Sequence, residues 1–433
     1  MHASMRWISA LCLTSVGTLA LAGCGTSPTT AASGPVSLTF EEGIQSPQTQ
    51  AYVQQEIHVF EKQHPNIHIT MQNYGAADSE IPKIESAVAA HNPPNLLWIA
   101  PAYTGQFASS NAIVEASNAI VEAQKYFHSA NFNPSTIFPG LLKTGVYKGK
   151  VWTMPFDAND LAVYYNKKLF KQAGIKTPPA TWQQFLVDAQ KLTKNGTYGF
   201  EMPIGNQEWT VWIWETLLWQ AGGHLLNSTR TKVTFDSPAG VKALNYWVTL
   251  MKDHVATFGP LNQAYQLGDF ESGKVAMMIN GPWNYSALQQ QHQVDYGAFP
   301  LPKDKIAATN IGGESLFIFN TTPTQDKAAF LFAKFVTSPQ FQIGYDTGSG
   351  YLPVSIPAEQ STQYQEYLKK NPFIQVFAKE MSVGKARPPI PAYSQISADI
   401  GNAIENALYG KMSASKALHQ AAVAAQQALN SNG

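Results

Sequence analysis

Cysteine is almost missing. Only Cys12 and Cys24 occur in 433 residues, so the body of the chain has no disulfide framework, no thiolate metal site and no cysteine nucleophile. Charge is scarce too: Asp, Glu, Lys and Arg make up 13%, about half the usual share. The 29 acidic and 29 basic residues cancel. Arginine is reduced to Arg6, Arg230 and Arg387. With no basic run and no Arg-rich stripe, nucleic acid is not an expected partner. A surface this poor in charge suits an acidic or otherwise harsh medium. Catalytic motifs are absent as well: the chain has no HExxH, no GxSxG and no P-loop. His64 and His68 stand four apart, but Pro65 and a strand pattern keep them off one helical face. No cofactor and no metal is called for.

What is present starts with an address. A short basic segment with Arg6 precedes an apolar stretch from Trp7 to Ala22. Ser9, Thr14, Ser15, Gly17 and Thr18 interrupt it, so it reads as a signal segment and not as a membrane span. Leu21-Ala22-Gly23-Cys24 is similar to the bacterial lipobox. That resemblance implies a signal peptide over 1–23, diacylglycerol on Cys24, and a protein held on the outer face of the cytoplasmic membrane. An ordinary signal peptide with an incidental cysteine is the alternative. Residues 24–35, rich in Gly, Ser, Thr and Pro, then form a flexible tether.

The remaining length is too great for one ordinary core, so two domains are expected. Residues 36–40 alternate as a strand, 49–64 carry a helical pattern stopped by Pro65, 66–70 form a second strand, and 81–90 a second helix. Residues 96–100 (LLWIA) are continuously apolar, as in a strand buried on both faces. This order argues for a largely parallel α/β sheet. Further on, 147–155 reads as a hairpin entering a crossover, Thr181 as the N-cap of a helix over 183–193, and 397–430 as Ala-rich helix. Residues 207–221 hold four tryptophans. Val275 to Asn280 is a buried strand that must stop at Gly281-Pro282, because proline has no N–H for the ladder. It delivers Trp283 to the rim of a sheet, where α/β proteins bind ligands.

Several segments together resemble the extracellular solute-binding proteins of carbohydrate ABC importers, the family that includes maltose-binding protein. They are Tyr147-Lys148-Gly149-Lys150 with Pro155 and Tyr164-Tyr165-Asn166-Lys167, Phe235-Asp236-Ser237-Pro238, residues 270–277 (FESGKVAM), Asn280-Gly281-Pro282-Trp283, residues 335–339 (FVTSP), and Gly350-Tyr351-Leu352-Pro353. The resemblance implies a two-lobed periplasmic-binding-protein fold of type II with a ligand cleft between α/β lobes. The expected lobes are 36–155 with 311–350, and 156–310 with 351–433. It implies a monomer that hands a sugar or oligosaccharide to the permease subunits of an importer, without chemistry.

A sugar needs aromatic faces for its C–H patches and carboxylate or amide oxygens for its hydroxyls. Trp283 matches the family's stacking tryptophan. Trp209 and Trp212, three apart at a helix start, can share a face, and one of them is expected at the ligand; the other reading is core packing, which claims some of the four tryptophans of that run. One of Asp157, Asn159 and Asp160 is expected at the ligand, the other reading being helix capping. Glu41 or Glu42 stands at the first strand's exit, Tyr103 at a polar contact position of the family, and Gly313 and Glu314 at the hinge. Tyr351 follows three small residues. Arg387 could fork onto vicinal hydroxyls or a carboxylate, its other reading being a surface ion pair. A rival within the same family is a glycerol-phosphate or glycerophosphodiester receptor, to which Arg387 and Tyr351 would also suit. A secreted glycosidase would need two carboxylates spaced across a scissile bond, and an adhesive or structural lipoprotein is the third alternative.

Overall fold

A computed structural model describes residues 34–75, 81–109, 119–204, 207–260, 264–291 and 293–431. The signal segment, Cys24 and residues 24–33 of the tether lie outside these. Ten strands build two five-stranded sheets. In chain order they are β1 (Val36–Glu42), β2 (Ile67–Asn73), β3 (Leu96–Ile99), β4 (Met154–Pro155), β5 (Ala162–Asn166), β6 (Phe200–Met202), β7 (Ala256–Phe258), β8 (Met277–Asn280), β9 (Tyr296–Phe299) and β10 (Ser315–Ile318).

The first sheet has the order β2-β1-β3-β10-β4. β1 runs parallel to β2 and β3, with Val36 opposite Ile67 and Phe40 opposite Leu96. β10 arrives from far along the chain and pairs antiparallel with both β3 and β4. Val36, Leu38 and Phe40 point into the core by the two-residue period of a strand, while β3 and β10 are buried throughout. The second sheet has the order β9-β5-β8-β6-β7, with β5 antiparallel to both its neighbours.

The helices start where the capping chemistry says they should. Ser46 caps Pro47–Gln63, which buries Val53, Ile57 and Phe60 against the first sheet. Thr181 accepts from Gln184 N at 3.2 Å and opens Trp182–Leu192. The C-terminal helices Tyr393–Leu408 and Ala414–Ser431 pack on each other and on Gln207–Gln220 and Pro238–Lys252. Three short helices, Ile356–Glu359, Thr362–Lys370 and Pro372–Glu380, occupy a stretch in which the sequence pattern announces none.

Three segments lie side by side between the sheets. Phe156 N donates to Glu314 O at 2.8 Å, and Gly312 N to Asn159 O at 2.8 Å. Ala158 and Leu352 exchange backbone bonds of 3.0 and 2.8 Å. Residues 156–159, 311–314 and 350–352 therefore form a three-stranded crossing. Gly313 makes it possible. Its φ is +101°, and a Cβ there would strike the backbone of Asp157 and Ala158.

Candidate functional site

The site gathers beside this crossing. β8 is buried at every position and ends at Asn280. Gly281-Pro282 turns the chain into one 3₁₀ turn, Pro282–Asn284. The Trp283 ring folds back over Gly281, where a side chain would collide with it. Its indole Nε1 donates to Ala264 O at 2.8 Å, and Asn284 Nδ2 donates to the same carbonyl at 2.7 Å. The ring is therefore fixed in angle while remaining half-buried.

Four rings surround it. The centroids of Trp209, Trp212, Tyr265 and Tyr351 lie 5.9, 6.0, 6.3 and 6.4 Å from that of Trp283. Trp209 and Trp212 come from the first turns of Gln207–Gln220, 5.7 Å apart, as their spacing of three requires. All four tryptophans of this helix are buried, and Trp209, Trp212 and Trp214 all belong to the second-sheet core. Tyr351 comes from the third crossing segment and also touches Tyr345 at 5.7 Å. Trp283 packs against residues of both the first-sheet core and the core of the second sheet.

The acidic candidates separate by what holds them. Asp157 is buried at the crossing. Its Oδ2 accepts from Trp98 Nε1 at 3.1 Å and Tyr345 OH at 3.0 Å, and its Oδ1 from Glu314 N at 2.8 Å. The Glu314 side chain also hydrogen-bonds it; burial outweighs these bonds and pushes its carboxyl up to about 6. Asp157 thus ties its own segment to β3, to Glu314 and to the helix Pro339–Ser349 that carries Tyr345. Asn159 is different: its buried Oδ1 has no hydrogen-bond partner, and neither has Trp212 Nε1. Both side chains crowd the space beside Gly312. Asp160 is fully buried, neither of its carboxyl oxygens has a hydrogen-bond partner, and burial and then Glu380 hold it well above the usual carboxylate range. Glu42 stabilises its own loop. It accepts from Ile44 N at 2.5 Å and from Asn73 Nδ2 at 3.1 Å, and burial raises it to about 6. Glu41 sits half-buried on β1 opposite Gln72.

Arg387 is not on the surface. It is 8% exposed, and its guanidinium stands 5.8 Å from the ring centroids of both Trp212 and Tyr393. It is paired with Glu208. Glu208 also accepts from Tyr393 OH at 3.0 Å and from Ser397 Oγ. Two turns on, Glu215 accepts from Asn310 Nδ2 at 3.1 Å; burial and then Glu208 push it up to about 8 against Arg387 and Asn310. Tyr103, buried in the turn after β3, acts on Arg387 electrostatically.

Sequence reasoning missed Glu208, Tyr265, Tyr345 and Trp98 as parts of this arrangement. Glu208 could have been suspected, since it adjoins Trp209 and the chain has so few arginines to pair with it. Tyr265 carries no comparable signal.

Comparison with known proteins fits this geometry. A family model for bacterial extracellular solute-binding proteins matches residues 56–372. The sn-glycerol-3-phosphate-binding periplasmic protein of Pectobacterium atrosepticum is 26% identical over 391 residues, covering 84% of each chain. An ABC transporter solute-binding protein of Thermotoga lettingae, solved with α-D-tagatose, has 25% identity and a TM-score of 0.80 over 91% of this chain and 100% of its own. The cyclic α-maltosyl-1,6-maltose binding protein of Arthrobacter globiformis has 24% identity and a TM-score of 0.77 over 92% and 100%. With its two α/β sheets, its three-segment crossing and a family match spanning most of its length, the chain belongs to the bacterial extracellular solute-binding protein family.

Proposed function

We propose that this chain is the receptor of an ABC importer and binds an uncharged sugar or oligosaccharide between its lobes. The lobes are 36–155 with 311–350, and 156–310 with 351–433, and the ligand passes from them to a membrane permease. The observation that carries this reading is the group of five rings at the crossing: Trp209, Trp212, Trp283, Tyr265 and Tyr351. Such faces cover the C–H patches of a pyranose or furanose. Asn159 Oδ1 and Trp212 Nε1 supply one acceptor and one donor that lack protein partners, as a hydroxyl-bearing ligand requires. The crossing is the natural hinge for closure. Cys24 provides a lipid anchor and residues 24–35 the tether, which keeps the receptor beside its permease.

A phosphate-bearing ligand is the second reading, favoured by the Pectobacterium relative's name. Arg387 would be its anchor. Here the guanidinium is already occupied by Glu208, which favours the uncharged ligand. A thermal-shift and calorimetric panel of mono- and oligosaccharides tests the reading. A true ligand raises Tm by mass action in proportion to its concentration over Kd. A panel without any shift, alongside a clear shift with glycerophosphodiesters, would replace it with the second.

A further inference from the structure

Among the described residues Arg387 is the one arginine near the ring cluster, and the chain neutralises it from within. Its guanidinium lies over the rings of Trp212 and Tyr393. One nitrogen donates to Glu208 Oε1. The same carboxylate takes Tyr393 OH on Oε1 at 3.0 Å and Ser397 Oγ on Oε2. Both carboxylate oxygens are thus engaged, and both residues are 8% exposed. Tyr393 and Ser397 lie on Tyr393–Leu408, and Glu208 on Gln207–Gln220, so two packed helices fix the carboxylate in place. A second carboxylate, Glu215, stands on the same helix two turns further on.

We propose that Glu208 is a specificity-determining residue: its carboxylate neutralises the charge of Arg387 that an anionic ligand would need, and so restricts the cleft to uncharged ligands. This rests on the sugar reading and deepens it. The physical reasoning is direct. A guanidinium has five N–H donors, and Glu208 engages it through Nη1, so what Glu208 removes is the net positive charge. A phosphate on the other N–H groups would find the charge of Arg387 already balanced by a carboxylate that Tyr393 and Ser397 hold in place. It would also meet the charge of Glu208 at close range. An uncharged ligand leaves the pair intact and uses only the ring faces that Arg387 backs. Arg387 then acts as a positioning residue for Trp212.

Glu208→Gln keeps the shape and the acceptor for Tyr393 while leaving Arg387 without its counter-charge. The experiment is calorimetric titration of full-length wild type, Glu208→Gln and Glu208→Gln/Arg387→Met with a neutral saccharide panel, sn-glycerol 3-phosphate and inorganic phosphate, at low and high salt. Wild type is expected to bind a neutral saccharide with an affinity that salt barely changes, and to ignore both phosphates. Glu208→Gln should gain at least about tenfold in affinity for the phosphate ester, with a steep salt dependence, and the double variant should lose that gain. A folded Glu208→Gln that gains nothing overturns the proposal, as does a wild type that binds the phosphate ester in preference to every saccharide. If Glu208→Gln does not fold, Glu208→Asp takes its place. Its shorter reach loosens the pair, so a partial gain supports the proposal and none overturns it. Failure of the sugar reading looks different: wild type then binds nothing in the neutral panel, while a phosphate gain in Glu208→Gln still reports on the pair.

Discussion

Glu215 allows a worked test of the electrostatics. It is fully buried on the helix that carries Trp209 and Trp212. Burial, followed by Glu208, raises its carboxyl from 4.5 to about 8. In the unfolded chain it ionises near 4.5, so the folded state holds its proton more tightly. The stabilisation is fully present below about pH 4.5 and is lost as pH rises towards 8. Each pH unit inside that window costs about 1.4 kcal/mol, which sums to roughly 5 kcal/mol across it and about 3 kcal/mol at pH 7. Glu215→Gln removes the titration while keeping an oxygen for Asn310 Nδ2. Urea denaturation at pH 4.5, 6 and 7.5 should show wild-type stability falling with pH and the variant's falling less steeply by about 1.4 kcal/mol per pH unit. At pH 7.5 the variant should be the more stable of the two. Parallel curves for the two proteins, or a wild type that strengthens as pH rises, would refute the reasoning. The same direction of shift holds for Glu42, Asp157 and Asp160, so a chain with little charge also keeps its interior carboxyls in surroundings that favour the acid form.

Three further outcomes are expected. Trp283→Ala should weaken sugar binding by about 2 kcal/mol or more, roughly thirtyfold, as for a central aromatic anchor, with circular dichroism unchanged; a normal Kd by calorimetry would make the ring part of the core only. Gly313→Ala should cost about 1–3 kcal/mol through its +101° φ and more through the collision with Asp157; a midpoint in urea equal to that of wild type would contradict the tight crossing. Cys24→Ser should release the receptor from membranes into the soluble fraction on cell fractionation, and retention in the membrane pellet would argue against the lipid anchor.

How much of this was legible in the sequence depended on distance along the chain. Local signals carried well. The proline after Asn280 ended β8 and placed Trp283, Thr181 capped its helix, and the three-residue spacing put Trp209 and Trp212 on one face. The fold class followed from motif order. Partnerships across the chain did not show. Asp157 reads locally as a free carboxylate near a helix start, yet its partners Trp98 and Tyr345 lie 59 and 188 residues away. Arg387 reads as a lone cation on a Pro-rich loop, yet Glu208, 179 residues earlier, holds it. The helices between 356 and 380 are short, and two of them begin at or beside a proline, so their apolar residues never build the long periodic pattern that betrays a helix.

The late arrival of β10 has a consequence for how the molecule is made. β3 is a short apolar strand, and one of its flanks is covered only when Ser315–Ile318 docks on it. Until then Leu96 to Ile99 present an open, hydrophobic edge, the kind of template on which chains join one another. The first sheet therefore cannot finish until Ser315–Ile318 has emerged, a segment made after the whole second sheet. Such long-range closure is slow. A protein bound for the far side of a membrane gains from that delay, because an unfinished sheet stays threadable, and a fragment ending before Ser315 should precipitate.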